Sequence, residues 1–265
     1  MSEIIAVSNQ KGGVGKTTTA VNLSAAMAIL GHKSLLIDLD PQGNATSAAG
    51  FDKRSVSPSI YNVLVDLAAI ESTVKNTDIP NYSIVGSGND LIGVEAELTG
   101  AMAKESRLRG ALSSIKDRFD IIFIDCPPSL GVLTLNALNA CGRVLIPIQS
   151  EYYAMEGVAQ LMETIDRVKK AWNPAIEIDG LLTMYDPRIV LANQVRGELS
   201  KFLGQRLFST MIPRNVRIAE APSFGKSIFG YDQNSRGAAA YLELAKEMAA
   251  RLGMEAAASA KEASI

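Results

Sequence analysis

Asn9-Gln10-Lys11-Gly12-Gly13-Val14-Gly15-Lys16-Thr17-Thr18-Thr19 decides the reading of this chain. The stretch follows the apolar run Ile4-Ile5-Ala6-Val7 and precedes a helix-like segment, which makes it a turn from strand to helix. Gly12, Gly13 and Gly15 let the backbone curl so that successive N–H groups point inward, and the following helix N-terminus adds the positive end of its dipole. Such a cradle, running through Val14 to Thr18, suits a polyphosphate. Lys16 is placed to reach β- and γ-phosphates, and the Thr17 hydroxyl to complete the shell of a Mg²⁺ ion. The usual form of the motif has a glycine where Gln10 stands, so this is a variant, and Lys11 is an additional cation. Spacing alone leaves open whether Lys11 serves its own loop, a neighbouring subunit's, or only the surface.

Outward from the cradle, apolar β-rich runs recur at 3–8, 34–38, 82–86, 120–125, 143–148, 178–184 and 207–212. They are continuous rather than alternating, as in strands covered on both faces. Helical patterns lie between them at 16–30, 90–117 in two pieces, 131–140, 154–172, 190–203 and 235–252. This alternation predicts an α/β fold: one doubly wound, mostly parallel sheet flanked by helices, with its site at the carboxyl ends of the strands. Segments 40–58 and 213–234, rich in Gly, Pro, Ser and Asn, read as loops. The domain is expected to span 1–252, with 253–265 a frayed tail poor in large apolar residues.

With 265 residues the chain is long enough for one large core, and its net charge of -2 does not announce a nucleic-acid binder. Any such role has to rest on a local patch. Two cysteines, no basic-then-apolar leader and no long apolar run point to a reducing cytoplasm and no spanning helix. The first strand begins so near the N-terminus that an additional N-terminal DNA-binding domain is not expected.

Three aspartates follow apolar runs. Asp38 and Asp40 sit in Leu35-Leu36-Ile37-Asp38-Leu39-Asp40-Pro41, and Asp125 ends Ile121-Ile122-Phe123-Ile124-Asp125. With Lys16 and Thr17 they compose a plausible Mg-nucleotide site, Asp38 and Asp125 holding Mg²⁺ through water. Phosphoryl hydrolysis chiefly requires that water be positioned and charge neutralised, and Asp40 is the candidate for positioning the water. A turn-capping role for Asp38 or Asp125, and a turn before Pro41 for Asp40, are the alternatives.

Together these motifs resemble the deviant Walker A ATPases, and within them the ParA (Soj-like) DNA-partition proteins. The similarity extends to Asp38 through Thr46, Asp125 through Gly131, Glu151-Tyr152-Tyr153-Ala154-Met155-Glu156-Gly157, Ile212 through Arg217, and Glu220 through Ser223. The resemblance implies ATP and Mg²⁺ as cofactors, an ATP-dependent homodimer in which Lys11 crosses to the partner's nucleotide, and catalysis by Lys11, Lys16 and Asp40. It implies that Pro213 and Asn215 contact the adenine. It also implies non-specific double-stranded DNA and a ParB-type centromere-binding protein as partners in chromosome or plasmid partition, close to the nucleoid and without a membrane.

Local charge agrees with the DNA expectation: seven basic residues against two acids lie between 188 and 226. Arg188, Lys201, Arg214 and Arg217 are the candidate phosphate contacts, although a single arginine reads equally well as a solvated helix face. Two other readings are a MinD-like membrane-associated ATPase, for which the tail lacks bulky residues, and an electron-transfer ATPase with Cys126 and Cys141 on a shared iron–sulfur cluster. Tyr152 and Tyr153 are candidates for a partner surface or for the core.

Overall fold

The computed structural model describes residues 2–151 and 154–254. Seven strands, β1 (Glu3–Val7), β2 (Ser34–Asp38), β3 (Val74–Asn76), β4 (Tyr82–Val85), β5 (Ile121–Asp125), β6 (Arg143–Gln149) and β7 (Glu177–Thr183), form one sheet. Its order is β3-β4-β2-β5-β1-β6-β7, parallel throughout except where β3 runs antiparallel to β4. The helices are α1 (Lys16–Ile29), α2 (Asn44–Ala48), α3 (Ile60–Leu64), α4 (Val94–Glu97), α5 (Arg107–Leu112), α6 (Val132–Ala140), α7 (Ala154–Ala171), α8 (Val190–Leu203), α9 (Val216–Glu220), α10 (Ile228–Tyr231) and α11 (Arg236–Arg251). Among the described residues, no helix is long and apolar enough to cross a membrane.

Burial on both faces explains the continuous apolar strands. In β5, Phe123 packs with Ile5, Leu36 and the apolar residues of α1 and α11, whereas Ile122 and Ile124 join Ala6, Leu35 and Ile37 beneath α5 to α8. A two-residue side-chain period thus feeds two cores. The chain leaves β1 on one side for β2 and β4, returns to β5, and leaves on the other side for β6 and β7. The reversal places a crevice at the carboxyl end of β1, where open α/β sheets bind ligands.

Two expectations need correction. The run 207–212 is not a strand: it touches β7 through a bridge at Gly180–Leu207 and Ile212 N–H donates to Leu182, but pairing breaks between. The cause is Glu247 of α11, whose carboxylate accepts the N–H groups of Ser209 and Thr210 at 2.8 Å each. The second is β3, which the sequence reading passed over because three residues with a central lysine carry little apolar signal. The two helical pieces expected in 90–117 are short and separated by turns, one at Gly100 with φ +84°. That segment is held by α6: Asn136 donates to Lys104 O and accepts from Leu108 N–H, and Asn139 donates to Glu105 O.

Gly180 is where the edge strand meets the end of α8. A Cβ there would lie 2.4 Å from Leu203 Cδ1 and 3.2 Å from Leu207 Cδ1. Gly180→Ala is expected to lower unfolding free energy by about 1–3 kcal/mol in urea titrations, through overpacking rather than backbone strain.

Candidate nucleotide site and basic surface

The cradle is held from two sides. Asn9 donates through Nδ2 to Pro147 O at 2.8 Å and accepts from Lys11 N–H at 3.0 Å, tying the loop's start to β6. Thr183, the last residue of β7, donates its hydroxyl to Val14 O at 2.8 Å. Gly13 and Gly15 adopt φ +75° and +88°, a region side chains resist, and Gly15 serves as N-cap of α1 without any side-chain acceptor. The first-turn N–H groups of α1 are therefore left to a ligand. Lys16 lies buried within the loop, its Nζ 3.0 Å from Lys11 O. Burial lowers its pKa, opposed by the negative field of Asp125.

Asp38 and Asp125 are register partners on adjacent strands, and Asp125 also pairs with Val7 of β1 at the root of the cradle. Both are fully buried, but their surroundings differ. Asp38 accepts from Thr46 N–H and Thr46 Oγ1, each at 2.7 Å, and from Asp40 N–H at 3.1 Å. Its oxygens are thus engaged by α2. Burial raises its pKa to about 6 despite these donors. Among the described residues neither oxygen of Asp125 has a well-formed partner, although the Thr17 hydroxyl is near enough to act against the rise in its pKa. Burial, then the charge of Asp38, pushes the Asp125 carboxyl well above its usual range. Of this pair Asp38 is the carboxylate already supplied with donors, and Asp125 is the oxygen donor set left over. Thr17, Asp125 and the free amides fit a divalent cation beside a polyphosphate.

Asp40 is fixed at several points. Its Oδ1 accepts Gln42 N–H at 2.9 Å, its carbonyl accepts Gly43 N–H at 2.9 Å and Ser87 Oγ at 2.8 Å, and the residue is nearly buried. The turn expected before Pro41 exists, and it orients the carboxylate rather than replacing it. A cavity of about 560 Å³ continues from the cradle past Thr18 and Thr183 to Pro213, Asn215 and Tyr241. Asn215 caps α9 with its Oδ1, which accepts Ile218 N–H at 3.2 Å, and its Nδ2 has no acceptor among the described residues. Pro213 is placed by a bridge to Tyr185.

Lys11 points away from the loop, half-exposed, and its Nζ meets Glu151 at 2.5 Å. The candidate DNA residues come from different elements. Arg188 stands at the start of α8 and is paired with Asp186 at 2.6 Å; Lys201 lies eleven residues along α8 from Val190, about 16 Å at 1.5 Å per residue. Arg214 lines the cavity that continues from the cradle, and Arg217 is shared between Glu220 at 3.2 Å and Asp232 at 3.5 Å. Asp186 and Asp232 lie outside the 188–226 stretch, so local counting missed these acids. Cys126 and Cys141 are buried thiols, the former raised well above its ordinary pKa and the latter to about 12 by burial. Neither reaches the surface, where a cluster shared by two subunits has to lie. Tyr152 and Tyr153 fall outside the described residues.

Fold and site together define a P-loop nucleotide-binding protein of the two-lysine type. Residues 2–178 match the family model described as AAA domain. The chain is 51% identical over 251 residues to the sporulation initiation inhibitor protein Soj of Bacillus subtilis, covering 94% of this chain and 99% of that protein. It is 47% identical over 252 residues to the chromosome partitioning protein ParA of Myxococcus xanthus, covering 95% and 89%. The crystal structure of cobyrinic acid a,c-diamide synthase from Mycobacterium smegmatis, with bound ADP and magnesium, superposes with a TM-score of 0.83 at 34% identity, covering 97% of this chain and 98% of that one. The chain belongs to the ParA/Soj family of chromosome-partitioning ATPases.

Asn9, Thr46 and Thr183 hold this site, yet the sequence assigns them no role by itself; Asn9 and Thr46 lie inside its motifs, and Thr183 lies inside the apolar run 178–184. Thr183→Val removes the hydroxyl and leaves Val14 O buried without its donor. Nucleotide affinity, measured by calorimetry, is expected to fall on the order of tenfold, the equivalent of one net buried hydrogen bond, with the fold retained.

Proposed function

We propose that this chain is a Mg²⁺-dependent ATPase whose ATP-bound form dimerises, binds double-stranded DNA without sequence preference, and drives chromosome or plasmid partition with a ParB-type partner. The observation that carries the proposal is the pair of lysines. Lys16 is buried inside the cradle, while Lys11 faces outward, tied by one exposed ion pair worth about 1 kcal/mol or less. Releasing Lys11 to a second chain's nucleotide is therefore inexpensive. Names of relatives, which include ATPases and partition proteins, support the same reading.

Geometry supports the following roles. Lys16 and the amides of residues 12–18 bind phosphates, Thr17 and Asp125 hold the cation with Asp38 behind them, and Asp40 orients water from its rigid turn. Mg²⁺, when bound, supplies charge neutralisation at the phosphoryl oxygens. Pro213 and Asn215 border the space for adenine. Arg188 and Arg217 are pre-paired with carboxylates, whereas Lys201 and Arg214 have no carboxylate partner among the described residues. The latter two are the residues readiest to bind DNA phosphates, in sequence-independent and salt-sensitive contacts.

Binding to random duplex DNA, compared with ATP, ADP and no nucleotide at two salt concentrations, tests the switch. Tight binding is expected only with ATP, to be prolonged by Asp40→Ala, which stops hydrolysis while sparing the phosphate cradle; equal binding in all three states would sink the idea. A second measurement concerns pH. Because Asp125 holds its proton above the usual carboxylate range, a cation has to displace that proton. Mg²⁺ affinity of the ADP-loaded protein should therefore rise with pH, by up to about tenfold per unit while Asp125 stays protonated in the cation-free form, and then level off. Asp125→Asn should flatten the profile in Mg²⁺ titration calorimetry.

A further inference from the structure

At the end of the sheet away from the cradle, the fold gathers four arginines around one cavity. Arg143 is the first residue of β6, six steps or roughly 20 Å along the strand from Gln149 at its carboxyl end. Arg196 comes from α8, Arg206 from the turn after it, and Arg251 from the last position of α11. These four line a cavity of about 690 Å³ whose one lining carboxylate is Asp179 of β7. Arg143 and Arg251 lie outside the 188–226 stretch, so no reading of local charge brings the four together.

Asp179 is buried between two of the guanidiniums, 2.8 Å from Arg143 Nη1 and 3.4 Å from Arg251 Nη1. Glu177 pairs with Arg143, and Glu247 with Arg251 at 2.7 Å. These acids hold two arginines in place without exhausting the donors. Arg143 Nε is buried with no acceptor among the described residues, and Arg251 sits over Phe208, its Cζ 3.9 Å from the ring centroid. Arg206 spends Nε and Nη2 on the Leu203 and Phe202 carbonyls, which leaves Nη1. Arg196 has no carboxylate partner among the described residues. A buried N–H without an acceptor is a standing cost that an oxyanion removes, and guanidinium forks match phosphate oxygens in pairs.

We propose that this cavity is a second phosphate-binding site, in which Arg196, Arg206 and Arg143 seat one phosphate group. That group belongs either to a nucleic-acid backbone or to a free phosphorylated compound; both present the same oxyanion. The site stands apart from the nucleotide cradle and does not require the DNA-switch reading.

The test uses the full chain loaded with Mg²⁺ and a non-hydrolysable ATP analogue, so that every phosphate position in the cradle is filled. Inorganic phosphate titrated by calorimetry should bind once per chain. Arg196→Ala and Arg206→Ala should each weaken that binding on the order of tenfold, and Arg196→Lys, which keeps charge but loses the fork, should fall between. Arg196 is on the exposed face of α8, so its replacement leaves the buried Asp179 cluster whole. Absence of phosphate binding in the parent protein, or equal affinity in parent and both alanine variants, overturns the proposal. Random duplex DNA is then added to the phosphate-saturated protein. Displacement of phosphate assigns the seat to a backbone, and simultaneous binding assigns it to a free phosphorylated compound; failure of the DNA switch is read separately, since the phosphate titration contains no DNA.

Discussion

Two carboxylates end adjacent strands inside the protein, side by side at the root of the glycine loop, and the site is organised around that cost. Burying one uncompensated carboxylate is expensive and burying two next to each other more so. Asp38 is compensated by three donors from the following turn and α2. Asp125 is not, and its oxygens have no well-formed partner of their own. A buried lysine and a helix N-terminus with unclaimed amides stand opposite. The apoprotein therefore stores an electrostatic imbalance that a cation and a polyphosphate relieve together, and this links nucleotide binding to the order of the surrounding loops.

That linkage has a mechanical side. Asp38 holds α2 through Thr46, the Thr46 hydroxyl accepts Ser87 N–H, and Ser87 holds Asp40, so Asp38 and Asp40 belong to one hydrogen-bonded unit. Asn9 and Thr183 tie the loop to β6 and β7 on the other side. A change in charge at Asp125 is felt through space by Asp38 and by Lys16. Lys11 is the exception: it is anchored by an exposed pair with Glu151, weak enough to exchange one carboxylate for another anion.

Much of this was legible before any coordinates. The order strand, glycine loop, Gly-Lys-Thr and helix, with later apolar runs ending in aspartate, predicted a parallel sheet with its site at the strand ends, because buried parallel strands leave an unmistakable continuous apolar record. The strand expected over 207–212 failed because the deciding partner, Glu247, is far away in sequence and takes the amides a ladder needs. Thr183 escaped notice because a threonine at a strand end has no local pattern to separate it from any other. The basic patch depends on the fold in another way. Arg188 and Arg217 are neutralised by Asp186, Glu220 and Asp232, while Arg143 and Arg251 meet Arg196 and Arg206 only through the fold.

By itself, then, the sequence determined the class of fold, the phosphate cradle and the identity of the acids near it, since all of these depend on residues close together in the chain and on backbone freedom at particular glycines. Tertiary structure alone decided which aspartate is satisfied and which is left for a cation, where Lys11 rests, and which arginines share a surface. Those are questions of burial and of which distant groups meet, and charge acquires its energetic meaning only when its neighbours and its exclusion from water are known.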